Sequence, residues 1–240
     1  MLEKTNGVVL HSIKYNDSST IVTIYTSEFG RSSYMVRSVS NKKSKFRAAF
    51  LQPLSLVDLD VSQTPGKDVH TIKDVRILYP LTGIPSQPVK NALALFMSEL
   101  LYRCLKQTGP DETLFMFLEN SVKALDCCED GLANFHLAFM MKLSRFLGFS
   151  PNNEMGDTGY FDLINGIFTN EKPQHNHFIM PEISRILKQA LELDYLNLNK
   201  LVLNREQRFK LLEVMIEFYR LHVPEFYGLK SLQVLHDIFN

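Results

Sequence analysis

The sequence predicts an α+β protein in which a small closed β-barrel precedes a larger helical body. Three observations predict it. Residues 7–77 alternate apolar and polar side chains at the period of a strand, and turn signals cut them into five short runs. No helical stretch among those runs is long enough to carry a parallel crossover. After Pro80, Pro85 and Pro88 the apolar period changes from 2 to about 3.6, the period of a helix.

In the first run, Val8, Leu10 and Ser12 alternate with Val9, His11 and Ile13, and Asn16-Asp17-Ser18-Ser19 then supplies turn residues. Thr20–Thr26 is rich in β-branched and aromatic side chains, which suit a pleated surface. Glu28-Phe29-Gly30 makes a tight connection in which Gly30 is free to take a positive φ. Ser32–Val39 reads as the third strand, and Asn41-Lys42-Lys43-Ser44 as a turn. Beyond Pro53, alternation sets Ser55, Val57, Leu59 and Val61 on one face and Leu54, Leu56, Asp58 and Asp60 on the other. Thr64-Pro65-Gly66-Lys67 turns the chain into a fifth strand, Val69–Ile77. Five strands in about 70 residues fit a five-stranded OB-fold barrel first and an SH3-like barrel second.

The proline-punctuated stretch around Tyr79–Pro88 sets an expected boundary, with one domain over 1–80 and a helical domain over 81–240. Val89, Leu93, Phe96 and Leu100 share one helical face, and Gly109-Pro110 stops that helix. Asp111 is placed to cap the next, with Leu114, Phe117, Leu118, Ser121 and Leu125 inward. A third stripe runs through Leu132, Phe135, Phe139, Leu143, Phe146 and Leu147 and ends at Gly148. Residues 149–180 break the pattern. Within them Leu163–Phe168 centres on Asn165-Gly166, which suits a two-residue type I′ hairpin turn. Helices resume over Pro181–Asp194, after Asn204 (with Phe209, Leu212, Ile216 and Tyr219 in its stripe) and over Leu229–Phe239.

Composition bounds the function. The chain has 240 residues, 45% apolar and 22% charged, ordinary for a folded protein with a sizeable core. No apolar run is long enough to span a membrane, and the charged N-terminus lacks the apolar block of an export signal. Cys104, Cys127 and Cys128 are odd in number, and two are adjacent, so they form no disulfide framework and point to a reducing cytoplasm. The zero net charge hides an asymmetry. Residues 1–80 hold 11 Lys or Arg against 7 Asp or Glu, and the remainder 15 against 19. That division fits a polyanion-binding module on a partner-binding body.

The basic excess concentrates in RSSYMVRSVSNKKSKFR. Arg31, Arg37, Lys42, Lys43, Lys45 and Arg47 lie there without one carboxylate, beside Tyr34 and Phe46. Cations that follow a phosphate backbone and rings that stack on bases are what binding of nonspecific DNA requires. A solvated loop is the plainer reading of the charge run, and a core position the plainer reading of Tyr34, since strand aromatics usually pack. Lys67 and Lys73 are weaker additions. Asp58 and Asp60 share a strand face but lack further converging ligands, so exposure or pairing with the basic window is expected of them. No phosphate-binding glycine loop, nucleophile elbow or paired-histidine metal motif occurs, and no catalytic residue is assigned. Arg103, Lys142 and Arg145 are available to flank a groove for an acidic, apolar peptide.

The order Gly7-Val8-Val9-Leu10, Tyr15 with Asp17-Ser18-Ser19, Tyr25-Thr26, Phe29-Gly30, the basic window and Pro53-Leu54 resembles the bacterial RecO recombination mediators. Arg145-Phe146-Leu147-Gly148-Phe149 before the insertion and Leu229-Lys230-Ser231 near the end extend the likeness over the whole chain. The resemblance implies an OB-fold and a helical domain, and binding of single- and double-stranded DNA. It also implies strand annealing and partnership with RecR and with the C-terminal tail of the single-stranded-DNA-binding protein. It puts the protein in the cytoplasm, at the nucleoid. Many relatives carry a four-cysteine zinc site in the insertion, whereas residues 149–180 here hold no cysteine, only His175 and His177 with Asp157, Asp162 and Glu171 nearby. Zinc in a structural site wants four well-placed ligands, so no cofactor is expected, and Tyr160, Phe161 and Phe168 are expected to hold the insertion by apolar packing. An RNA-binding OB protein and a noncatalytic scaffold are the alternatives from other classes.

Overall fold

The computed structural model describes residues 2–37, 50–63, 66–106, 108–152 and 159–239. Contacts divide the chain into two compact units, Met1–Cys127 and Cys128–Asn240.

The first unit opens with a closed barrel in the order β1-β2-β3-β5-β4. Its strands are β1 (Leu2–Asn16), β2 (Ser19–Thr26), β3 (Gly30–Arg37), β4 (Leu56–Ser62) and β5 (Val69–Tyr79). Neighbours pair antiparallel except β3 and β5, which close the barrel in parallel through Ser33–Val69, Tyr34–His70 and Met35–Thr71. That strand order is the OB-fold. The inward residues are those that alternation singles out: Val9, Val22, Ile24, Val57, Leu59, Val61 and Val75 form one buried cluster. Tyr34 is fully buried within it, so its ring belongs to the core and offers no face to a nucleobase.

Val8, Val9 and Leu10 are all buried, although they are consecutive in a strand. The helix α2 (Pro88–Cys104) covers the outer face there, and Ser98 Oγ donates to the Leu10 carbonyl. Apolar residues on both faces of β1 therefore produce a continuous apolar run in the sequence. A side chain at Gly7 would reach within 2.5 Å of Ile24, so glycine is needed for the two strands to approach. Leu54 holds φ at 61° while fully buried. Its amide donates to Val9 O at 2.8 Å, which anchors a turn whose conformation is costly for a residue with a Cβ.

The unit continues with α1 (Gly83–Ser86), α2 and α3 (Glu112–Cys127). Asp111 caps α3 as expected, accepting from Leu114 N at 2.9 Å. Asp126 on α3 reaches back to accept from Thr82 N at 3.1 Å and Ile84 N at 2.7 Å, and the buried Lys90 donates to the Asp126 carbonyl at 2.6 Å. These bonds fasten the segment that leaves the barrel to the last turn of α3.

The second unit begins with a 3₁₀ turn at Leu132–Asn134 and α4 (Phe135–Phe146). A small sheet follows, then α5 (Pro181–Ala190), α6 (Arg205–His222) and α7 (Leu232–Ile238). Asn204 and Gln207 form a reciprocal capping box at the start of α6. Phe135, Phe139 and Leu143 are buried as the stripe predicts, but Phe146 near its end is exposed. The helix ends at Phe146, one residue before the stripe's last position, Leu147.

The hairpin is present but its turn differs. Strands β6 (Tyr160–Asp162) and β7 (Ile167–Thr169) pair Asp162 with Ile167, which leaves four residues in the loop instead of two. The Asp162 carboxylate accepts from Ile164 N at 2.8 Å, Asn165 N at 3.0 Å and Asn165 Nδ2 at 2.7 Å, while Gly166 takes φ 66°. An Asx-type turn centred on Asp162 thus replaces the type I′ turn. A third strand, β8 (Phe178–Ile179), which sequence signals did not reveal, pairs with β6.

Candidate nucleic-acid interface

Strand β1 is shared between two neighbours, while β2 is paired with β3 along its whole length. Strand β1 pairs with β4 only through Leu2–Val8, but with β2 as far as Asn16. Asp17 and Ser18 form the loop, tightened by Ser18 N donating to Asn16 Oδ1 at 3.0 Å. Near the tip Ile13 is 51% and Tyr15 62% exposed, and Lys14 reaches Asp17 at 2.9 Å from a side chain 71% exposed. An ion pair this open to water is worth little and leaves the ammonium available.

Strand β3 ends at the same place. Its last residue, Arg37, lies opposite Ser19, the first residue of β2, so the basic window departs beside the hairpin tip. The backbone of Arg37 belongs to the barrel, whereas Lys42, Lys43, Lys45 and Arg47 lie outside the described residues, as does Phe46.

Arg31 is situated differently from the rest of the window. It sits at the far end of β3, next to Gly30, whose φ of 62° and close approach to Gly109 exclude a side chain. Its amide donates to Thr108 O at 3.0 Å, its Nη1 to Tyr102 O at 2.9 Å, and its guanidinium lies 4.6 Å over the Tyr102 ring. His11 packs on the same ring at 4.5 Å between centroids. Burial lowers the His11 pKa, Glu99 raises it in part, and Arg103 and Arg31 depress it further. Tyr25 completes the contact by donating to Gly109 O at 3.1 Å, and burial pushes its pKa up to about 12. The barrel is thereby locked onto α2 and the segment after it.

Strands β4 and β5 carry the opposite charge. Arg76 binds Asp58 at 3.0 Å, Asp60 at 3.1 Å and Asp74 at 3.0 Å, so three carboxylates surround one guanidinium. The local excess of negative charge repels phosphate. Lys67 and Lys73 are exposed on β5 and the turn before it. Asp58 and Asp60 pair with Arg76 on β5 and not with the basic window, because the neighbouring strand sets that guanidinium directly opposite them, a pairing that sequence spacing did not identify. The cations considered for a peptide groove have partners: Arg103 lies 3.9 Å from Glu99, Lys142 3.3 Å from Asp194, and Arg145 donates to Leu191 O at 3.5 Å.

In the insertion, Phe161 and Phe168 are buried against one another at 4.7 Å between ring centroids. His175 Nε2 lies 3.2 Å from Asp162 Oδ2, and His177 Nδ1 lies 3.4 Å from Glu217. The two imidazoles are 6.4 Å apart and each faces a carboxylate. Among the described residues no three His, Cys, Asp or Glu side chains converge to hold a metal. The donor set present does not fit the four-thiolate site that the resemblance implies.

A closed barrel of OB order followed by helices defines the class as an OB-fold protein with a helical second part. The chain belongs to the recombination protein O family: it matches the family description Recombination protein O N terminal over residues 1–81 and Recombination protein O C terminal over residues 85–233. Among its relatives, a DNA repair protein RecO of Bacteroides fragilis is 41% identical and one of Phocaeicola vulgatus 39% identical, each over the whole of both chains. One from Christiangramia forsetii is 31% identical over the same span. No described helix is long and apolar enough to cross a membrane.

Proposed function

We propose that this chain is a noncatalytic DNA-binding mediator of recombinational gap repair, acting on the nucleoid in the cytoplasm. One observation carries the reading: six cations and no carboxylate fall between Arg31 and Arg47, on the strand and exit segment of an OB-fold barrel. We assign phosphate contact to Arg37, Lys42, Lys43, Lys45 and Arg47, and to Arg31 the seating of the barrel on α2. The acidic face around Arg76 turns away from DNA. Single- and double-stranded DNA are the substrates, and annealing of complementary strands is the activity. Family membership supports RecR and the C-terminal tail of the single-stranded-DNA-binding protein as partners. The insertion works without zinc, held by the Asp162 turn and its buried rings.

The test is annealing of complementary strands coated with the single-stranded-DNA-binding protein, with and without RecR. The reading expects the chain to accelerate annealing and to bind DNA in a strongly salt-dependent manner. No acceleration, or a marked preference for strands bearing 2′-hydroxyls, contradicts it, and the second outcome points to RNA.

A further inference from the structure

A groove of about 290 Å³ opens on the first unit where the loop before β4 meets β5, α1 and α2. Phe50 and Pro53 line it from the loop, Leu56 and Tyr79 from the strands, and Ile84 and Leu95 from the helices. Single exposed apolar side chains are ordinary on a surface, whereas a contiguous apolar concavity marks a binding site. Ile77, 47% exposed, and Leu95, 39% exposed, both belong to this one. Its wall is fixed in advance. Leu54, between Pro53 and Ser55, keeps a left-handed φ of 61° while fully buried. The loop is bonded to β1 on both sides of that residue, Leu54 N donating to Val9 O at 2.8 Å and Val9 N to Ser55 O at 3.0 Å. Strained backbone of this kind clusters where a ligand is clamped.

We infer that this groove receives an uncharged, proline-rich segment of a partner protein in the polyproline II conformation. The chemistry of the lining selects that occupant by exclusion and by fit. Among the described residues no charged side chain lines the groove, so neither a phosphate backbone nor an acidic peptide finds a counter-ion there. Strand addition needs an open edge, and Leu56 is already paired with Val8 on one side and Tyr79 on the other. A helix satisfies its own backbone and would make no use of the carboxamides and hydroxyls of Gln52, Ser55, Asn91 and Tyr79. A polyproline II segment has no internal hydrogen bonds and keeps its carbonyls free. Those carbonyls can accept from the same carboxamides and hydroxyls, while the proline rings pack on Phe50, Pro53 and Tyr79. Its conformation is largely set before it docks, so little entropy is lost on binding. The inference stands apart from the DNA-binding reading, because the described lining holds none of the cations assigned to phosphate.

The experiment titrates the full chain into fluorescein-labelled peptides built on Pro-x-x-Pro, with x varied over uncharged residues, and reads anisotropy. A Gly-Ser peptide of equal length is the control, and an unlabelled acidic, apolar peptide serves as competitor. The inference expects saturable binding of Pro-x-x-Pro peptides, none of the control, and no displacement by the acidic peptide. Ile77→Gln combined with Leu95→Gln changes no charge at two exposed positions. That variant should keep its circular dichroism and its DNA affinity and bind the tightest peptide about tenfold more weakly. On the unaltered protein, a benzophenone carried by the same peptide should crosslink within residues 50–56, 77–85 or 91–95. Pro-x-x-Pro peptides that bind no better than Gly-Ser overturn the inference. So does crosslinking elsewhere, or a folded double variant that binds as tightly as the unaltered protein, and each of these leaves the DNA-binding reading standing.

Discussion

The guanidinium of Arg31, at the start of β3, stacks on the ring of Tyr102 in α2 and donates to the same residue's carbonyl oxygen. This pair ties the barrel to its first long helix, and it takes one of the six window cations out of the surface. A half-buried guanidinium that stacks on a ring and satisfies a carbonyl contributes through both contacts. Arg31→Ala is expected to destabilise the first unit by about 1–2 kcal/mol. Arg31→Lys keeps the charge but loses the planar stack, so it should recover only part of the loss. Urea titration followed by circular dichroism checks both, and DNA affinity measured on the folded variants should change little.

His136, in α4, is buried so fully that its pKa falls to about 3, with Arg208 adding to the effect. The unfolded chain protonates this side chain near 6.5. Below that pH the unfolded state binds a proton that the folded state refuses. The stability it contributes is therefore complete above pH 6.5 and is lost as pH falls from 6.5 toward 3. The decline approaches about 1.4 kcal/mol per pH unit within that window. His136→Leu should flatten the dependence relative to the unaltered protein between pH 6.5 and 5, where few carboxylates titrate. Denaturant midpoints at stepped pH measure it.

Asp162 holds the insertion's turn. Burial alone raises its pKa, but hydrogen bonds from the backbone and side chain of Asn165, from Ile164 and from His175 outweigh that and lower it. Asp162→Ala removes the partner of four groups, Ile164 N, Asn165 N, Asn165 Nδ2 and His175 Nε2, and should cost about 3 kcal/mol. Asp162→Asn keeps one acceptor oxygen and should lose less. Hydrogen exchange at Phe161 and Phe168 reports the turn's opening. In the same preparation, untagged and purified without added metal, zinc is expected far below one equivalent, and a chelator should leave the thermal midpoint unchanged.

Much of this fold was legible because local and tertiary preferences agree. In the barrel, Val57, Leu59 and Val61 alternate in sequence and face inward in space. At the start of α3, Asp111 is placed to cap in the sequence and accepts from Leu114 N in the fold. Legibility failed where a distant group decides a local conformation. Asn165-Gly166 signals a two-residue turn, yet the carboxylate of Asp162 captures the amides first and lengthens the loop. Leu54 takes a left-handed φ because its amide is bound to Val9, across the barrel wall. The candidate site divides in the same way. The cluster of cations can be read directly, but the engagement of Arg31 with Tyr102 depends on a helix 71 residues away.

The central claim is that the segment leaving β3 contacts phosphate. Its most direct test is the salt dependence of single-strand binding by the unaltered protein and by a variant carrying Lys42→Glu, Lys43→Glu, Lys45→Glu and Arg47→Glu. Each phosphate neutralised by the protein contributes about 0.7 to the slope of log affinity against log salt for a single strand. The account predicts a steep slope for the unaltered protein, and for the variant a much lower affinity with a slope smaller by roughly 2–3, as three or four contacts are lost. A folded variant with unchanged affinity and unchanged slope contradicts it.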